Sequence, residues 1–445
     1  MPSTQLPNPA LPTTTAFPSD RSDFGPRLGF AWDVQGTSKT IVRGGYGIFY
    51  GRIINSTIFN AIANTARPAG QSTVSLQASA ATAPTYPNVI VSGGGTVPFG
   101  VTAVGFAPDT KLPLVHEFDA EVERQIANNT VVSVSYVGSL GRRLPQFVDT
   151  NLAESTLTTT YTVAAPTGTI TSPFVNRDFV GQSFTVPYFG VPTTLTGTRR
   201  PNASFGAITN ISDGVDSKYN ALVIGVNRRF YKGFQIQSSY TYSHSTDFGQ
   251  SSTTFTASNN VLNPFDLGEE LGRSNFDIRH RFTFGGVWTP DVYKGESKIF
   301  QYLVNGYTLS PLINVSSGAP FTPLLQGNAP NPTGFTSFTG GTGVLADGGT
   351  NRVPWLAPNS FQMPRTANLD FRLQKGFTIH ESWKLLLSGD AFNLFNHNNV
   401  TAVDTQMYTI SGANLVFNPH FGVPTNSSNT LIAQRQIQVG IRLEF

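Results

Sequence analysis

The segment RQIQVGIRLEF alternates. Ile437, Val439, Ile441, Leu443 and Phe445 fall on one side, with Gln436, Gln438, Gly440, Arg442 and Glu444 on the other. Successive side chains of a strand project to opposite faces, so one face is apolar and the other polar. Residues 437–445 match the roughly 9–11 residues that a tilted strand needs to cross a bilayer. The pattern recurs upstream. FDIRHRFTFGGVW sets Phe276, Ile278, His280, Phe282, Phe284 and Trp288 against Asp277, Arg279, Arg281 and Thr283. In YNALVIGVNRRFYKGFQIQSSYTYSHS, two such strands flank Tyr231-Lys232-Gly233, where Gly233 supplies the positive φ of a tight turn. PRLGFAWDVQGTSKTIVRGGYGIFY and HEFDAEVERQIANNTVVSVSYVG predict two further hairpins. In the second, Glu117, Asp119, Glu121 and Glu123 share one face. Such a row repels itself unless wetted or matched by cations, for which Arg43, Arg279 and Arg281 are candidates. Pro311 interrupts the middle of VNGYTLSPLINVSSG.

The connections alternate in length. Those at 35–38, 127–130, 231–233 and 375–379 are short, and 289–301 is medium. Those at 51–113, 140–204, 246–276, 316–365 and 396–433 are long and rich in Thr, Ser, Asn, Gly and Pro. Short periplasmic turns alternating with long outer loops mark a bacterial transmembrane barrel. With the end of the last strand placed in the periplasm, parity holds for eleven crossings: 26–34, 39–50, 114–126, 131–139, 219–230, 234–245, 277–288, 302–315, 366–374, 380–395 and 435–445. FGAITNI (205–211) then belongs to an outer loop. The expected fold is all-β, a transmembrane antiparallel β-barrel spanning 24–445 with 11–12 strands, and 1–23 a disordered or loop remnant. Phe282, Phe284, Ile437, Val439 and Ile441 are expected to face lipid. Glu117, Asp119, Glu121, Glu123, Arg279, Arg281 and Arg442 are expected to line the lumen.

An odd strand count leaves an edge, which hydrocarbon does not tolerate. MPSTQLPNPALPTTTAFPSD has neither the charged nor the apolar region of a secretory signal peptide. Both observations lead to the expectation that an N-terminal half of the barrel is missing from the chain.

Composition agrees. Charged residues make up 12% of the 445, against about 25% in an average soluble domain. No apolar run reaches the 18 residues of a transmembrane helix. The net charge of +3 is too small to imply a nucleic-acid partner, and the absence of Cys removes disulfides and thiolate metal sites.

FGPRLGFAWDVQGTSKTIVRGGYGIFYGR, VERQIANNTVVSVSYVGSLGRRL, NPFDLGEELGRSNFDIRHRFTFGGVW and DAFNLFNHNN resemble segments of one family, in its order. The family is the TonB-dependent outer-membrane receptors, specifically the Oar-like group with a carboxypeptidase-regulatory-like domain. The resemblance implies a 22-stranded barrel of which this chain is the C-terminal part. It also implies a plug that reaches the TonB complex, and a Gram-negative outer membrane with its lipid and lipopolysaccharide as surroundings. The loops would be extracellular and the C-terminus periplasmic, with Phe445 resembling the signal read by the barrel-assembly machinery. The function implied is outer-membrane transport of an unidentified substrate, which this chain alone would not energise. The alternatives are a non-transporting surface protein or passive pore, and a soluble β-rich module.

No enzyme motif and no cofactor motif is present. His244, Ser245 and Asp247 lie close in sequence, as a loop base or aromatic rim would also have them. His397 stands without ligand spacing around it. Arg142 and Arg143 follow a strand, where a solvated loop or contact with outer-leaflet phosphate is expected.

Overall fold

The computed structural model describes residues 19–66, 101–154, 157–175, 178–192, 200–202, 204–249, 261–327, 333–337, 352–379, 383–427 and 434–445, with 10, 11, 14, 85 and 88. The expectation for 1–23 falls mostly outside them. Eleven strands pair antiparallel in chain order: β1 (Arg27–Asp33), β2 (Thr40–Tyr50), β3 (Leu114–Ala127), β4 (Thr130–Asp149), β5 (Phe205–Tyr231), β6 (Phe234–Asp247), β7 (His280–Trp288), β8 (Tyr307–Ser316), β9 (Thr366–Thr378), β10 (Lys384–Phe392) and β11 (Gln436–Glu444). Among the described residues, β1 pairs only with β2 and β11 only with β10. The sheet therefore has two edges, and both edge strands are exposed along nearly their whole length.

Short connections gather at one end of the sheet and long ones at the other. At the turn end, Lys232 (φ 51°) and Gly233 (φ 74°) form the two-residue turn that suits twisted strands. A Cβ on Gly233 would lie 2.4 Å from the Thr289 carbonyl oxygen, so glycine is required twice over. Pro311 leaves β8 unbroken. Its missing N–H falls where the ladder to β7 has a gap, between the pairs Gly285–Leu312 and Trp288–Leu309.

Several boundaries differ from the sequence pattern. β9 runs on to Thr378, through the turn expected at 375–379, β10 covers only Lys384–Phe392 of the expected 380–395, and β7 starts at His280 rather than 277. Residues 302–304 end a short helix, Lys298–Val304, and the strand starts at Tyr307. β4 runs on to Asp149, so Arg142 and Arg143 lie inside a strand rather than after it. Arg143 takes φ 54° where the pairing with β5 shifts, and Arg142 meets Asp216 at 3.0 Å. The stretch 205–211, expected in a loop, is the loop-side end of β5 and pairs with the end of β4. Continuous pairing let these strands rise beyond the membrane-length segment that the pattern marks.

The long connections fold together. Leu324–Gln326, Gln406–Ser411, Asn414–Phe417, Leu157–Ala164 and Ser183–Tyr188 form a second sheet, in that order. Over it lies the largest apolar core of the described residues, with Tyr161, Tyr188, Met407, Leu415, Phe417 and Phe421 at most 1% exposed. The rings of Phe174, Phe361 and Phe421 meet 4.9 to 5.6 Å apart, and Phe184 stacks on Trp355 at 4.0 Å. Burial pushes the Tyr161 and Tyr408 hydroxyls up in pKa, and Tyr408 Oη donates to the Asp178 carbonyl at 2.8 Å. This core is of the soluble kind, whereas the large sheet keeps its apolar side chains on an open face. Leu415→Ala should therefore destabilise the loop body by about 2–5 kcal/mol. Hydrogen exchange should quicken at 406–417 while amides of β6 and β7 keep their protection.

Candidate functional site

Strand register decides what the large sheet can do. Residues directly paired in an antiparallel sheet share a face. Arg43 pairs with Glu121, Glu121 with Ser135, Ser135 with Val223 and Val223 with Thr241. Thr241 pairs with Arg281, Arg281 with Ser316 and Ser316 with Thr366. On the same face, Ser310 meets Arg372, Arg372 meets Asp390 and Asp390 meets Gln438. One polar face thus runs unbroken from β2 to β11. The opposite face carries Trp32 beside Val42, Val42 beside Val122 and Val122 beside Val134. It continues through Ile224, Tyr240, Phe282, Val315 and Ala367, and on β9–β11 through Leu373, Gly389 and Val439.

The polar face is the hollow one. A cavity of about 840 Å³ is lined by Arg43, Glu121, Glu123, Asn227, Gln237 and Thr283, among others. Within it Arg43 Nη1 lies 3.0 Å from Glu123 Oε2, and Ser135 Oγ donates to Glu121 Oε1 at 3.2 Å. Farther along, Arg372 Nη2 donates to Asp390 Oδ2 at 3.1 Å beside a smaller hollow of about 240 Å³. Asp370 accepts the Asn393 amide and the Asn368 side chain, each at 2.8 Å. The arrangement offers donors and acceptors to water or a polar solute along a broad path.

Of the acidic row, Glu117 and Asp119 are exposed, while Glu121 and Glu123 are half-buried in the hollow. Arg43 is the cation that meets the row. Arg279 turns away to Asp277, at 3.6 Å. Arg442 pairs with Glu444 at 3.2 Å on the last strand, and Arg281 shares the polar face with both. Phe282 and Phe284 share the apolar face with Ile437, Val439 and Ile441, the last three 73–78% exposed. Phe445 stands open beside Trp383, ring centroids 6.3 Å apart. Because the Arg43–Glu123 pair is partly solvated, Arg43→Ala should cost at most about 1 kcal/mol of stability. Denaturant unfolding of the variant would show a near-unchanged midpoint.

His244 and Ser245 are successive residues of β6, so their side chains project to opposite faces and do not form a relay. His244 instead holds buried Asp277, which also accepts Arg273 Nε at 2.7 Å and the Ser245 amide at 2.8 Å. In DAFNLFNHNN, Asn393 and Asn396 take positive φ, and Asn399 Oδ1 accepts the Ala367 amide at 2.7 Å. That motif ends β10 and locks the loop to β9. Among the described residues no group of three or more metal-ligating side chains converges.

Two belts of aromatic residues escaped the sequence reading. On the apolar face at the turn end lie Trp32, Tyr231, Trp288 and Phe377. Toward the loop end lie Tyr46, Tyr136, Tyr240 and Tyr242, hydroxyl-bearing rings of which Tyr46 bonds His116, Tyr136 bonds Asn220 and Tyr240 bonds His280. Phe234 to Tyr242 spans about 27 Å along the strand at ~3.4 Å per residue, and strand tilt brings this near the ~25 Å apolar band of an outer-membrane barrel. The available signal was the position of each ring relative to its strand end.

Residues 3–438 match the family model described as an outer membrane beta barrel domain. The chain belongs to that family. Its fold also resembles the outer membrane transporter YddB from Escherichia coli, with 11% identity, a TM-score of 0.46, and coverage of 94% of this chain and 40% of that one. The pyoverdine-bound FpvA of P. aeruginosa gives 8% identity and a TM-score of 0.41 over 96% of this chain and 33% of that one. A variant of the ferric enterobactin receptor PfeA from Pseudomonas aeruginosa gives 8% and 0.42, over 95% and 40%. The chain thus spans two fifths or less of the length of these structures. No curated protein matches it in sequence. As a member of this family the chain is placed in the outer membrane.

Proposed function

We propose that the eleven strands form one side of the wall of a TonB-dependent transport barrel of the Oar-like group, part of a 22-stranded whole. The polar hollow is its lumen and the apolar face meets lipid. The short turns lie in the periplasm. The folded loop body stands outside the cell, where it meets a bulky polar substrate and, at its rim, lipopolysaccharide. The observation that carries this reading is the register, which keeps one polar, hollow face continuous from β2 to β11. Transport asks nothing more of the wall than hydrated, weakly binding side chains, and no catalysis is assigned to it. The edges of β1 and β11 require partners, since each unsatisfied backbone group in hydrocarbon costs several kcal/mol. Energy coupling would come through a plug and the TonB complex, and assembly through the machinery that reads Phe445.

The test is solute depletion from a defined medium by cells with and without the gene, in strains with and without TonB. A solute consumed only when both are present supports the proposal. Depletion that ignores TonB indicates a passive pore. No difference in any solute indicates a surface protein.

A further inference from the structure

The connection between β7 and β8 carries the helix Lys298–Val304, sequence KIFQYLV. At 3.6 residues per turn, Ile299, Phe300, Tyr302 and Leu303 fall on one arc, with Gln301 opposite and Lys298 at the edge of the arc beside Tyr302. The apolar arc is the open one. Ile299 is 73% exposed, Phe300 57%, Tyr302 52% and Leu303 59%, and Val292 just before the helix is 69%. A helix on a water-facing turn buries that arc and shows its polar side.

The helix sits on the apolar side of the sheet. The Tyr302 ring meets Phe377 at 5.4 Å, and Phe377 shares its face with Leu385. Lys375, also on that face, donates from Nζ to the Tyr302 carbonyl at 2.8 Å and to the Asn305 carbonyl. These are carbonyls at the C-terminal end of the helix, which a cation satisfies. Gln301 Nε2 donates to Gly295 O at 3.0 Å, and Asn305 Oδ1 accepts the Val292 and Tyr293 amides, which fasten the turn beneath it. The exposed arc is therefore continuous with the lipid-facing side of the wall, at the level of Trp288, Phe377 and Trp383. Tryptophans concentrate at that level in membrane proteins.

We infer that Lys298–Val304 is an interfacial membrane helix. Its occupant is the lipid leaflet at the turn end, with Ile299, Phe300 and Leu303 in the acyl boundary and Lys294 and Lys298 reaching the headgroup phosphates. The inference rests on the proposed lipid-facing side of the wall. It adds a contact that the strands themselves do not make.

The chain has no Cys, so single nitroxide labels report each position cleanly. The protein is reconstituted in phosphatidylethanolamine–phosphatidylglycerol bilayers as I299C, L303C and K294C, with V439C and Q438C as references for the two faces of the wall. Collision with oxygen and with a water-soluble nickel chelate is then measured. Labels at 299 and 303 should behave like 439, open to oxygen and shielded from nickel, while 294 meets nickel. Nickel access at 299 and 303 matching that at 438 would place the helix in water and overturn the inference. Shielding from both reagents would show protein covering the arc and overturn it equally. If 439 itself meets nickel, the wall assignment fails, and the inference falls with it.

Discussion

Arginine in place of Phe284 should destabilise the assembled protein by about 2–4 kcal/mol, the cost of a cation on the lipid face near mid-membrane. Phe284 pairs with Ser238 on one side and Ile313 on the other, both within the apolar band. Its neighbour Thr283 lies on the polar face, where its hydroxyl is 2.8 Å from that of Ser239. Thr283→Arg should cost clearly less, because the guanidinium enters the hydrated hollow. Urea unfolding of the protein in lipid vesicles separates the two. Equal losses would mean that the faces do not differ in solvent.

The second large effect lies in the loop body. Arg352 and Glu270 are both more than nine-tenths buried, with Arg352 Nη2 donating to Glu270 Oε1 at 2.8 Å and to the Glu269 carbonyl at 3.2 Å. Glu270 also accepts the Leu262 amide at 2.7 Å. Arg352→Met should cost about 3–5 kcal/mol, since it leaves a buried carboxylate without its cation. Adding Glu270→Gln should recover a large part of the loss. Beside the pair, burial pushes the Glu269 carboxyl above its ordinary range. Hydrogen exchange at 261–273 and 352–362 reads the effect locally, where the wall would not respond. A loss no larger in the single variant than in the double would refute the assignment of strain to the unpaired charge.

The wall was legible because its signal is local. Alternation in IQVGIRLEF or FTFGGVW needs no partner to be read, and a short turn such as Tyr231-Lys232-Gly233 fixes which strands are neighbours. Placement of side chains on faces followed from the same period. The partners of those side chains did not. Arg279 is as close in sequence to the polar face as Arg281, yet it leaves for Asp277 because that buried carboxylate gathers Arg273, His244 and Arg279 together. The loop body was the least legible part. Its core joins Tyr161, Phe321, Phe361 and Leu415 from three connections far apart in the chain. Each connection alone reads as a Thr- and Gly-rich loop with isolated aromatics. Only the end of the helix Lys298–Val304, residues 302–304, was read as strand, because Tyr302, Leu303 and Val304 fit either period over so short a span.

The central claim is that one face of this sheet meets lipid and the other water. The direct measurement is thiol labelling of Thr283→Cys and Phe284→Cys in native outer membranes, with a membrane-impermeant aqueous maleimide and a lipid-soluble one. These positions are adjacent in β7, well inside the sheet. The account predicts aqueous labelling at 283 and lipid-phase labelling at 284. Aqueous labelling at 284 with protection at 283 would contradict it.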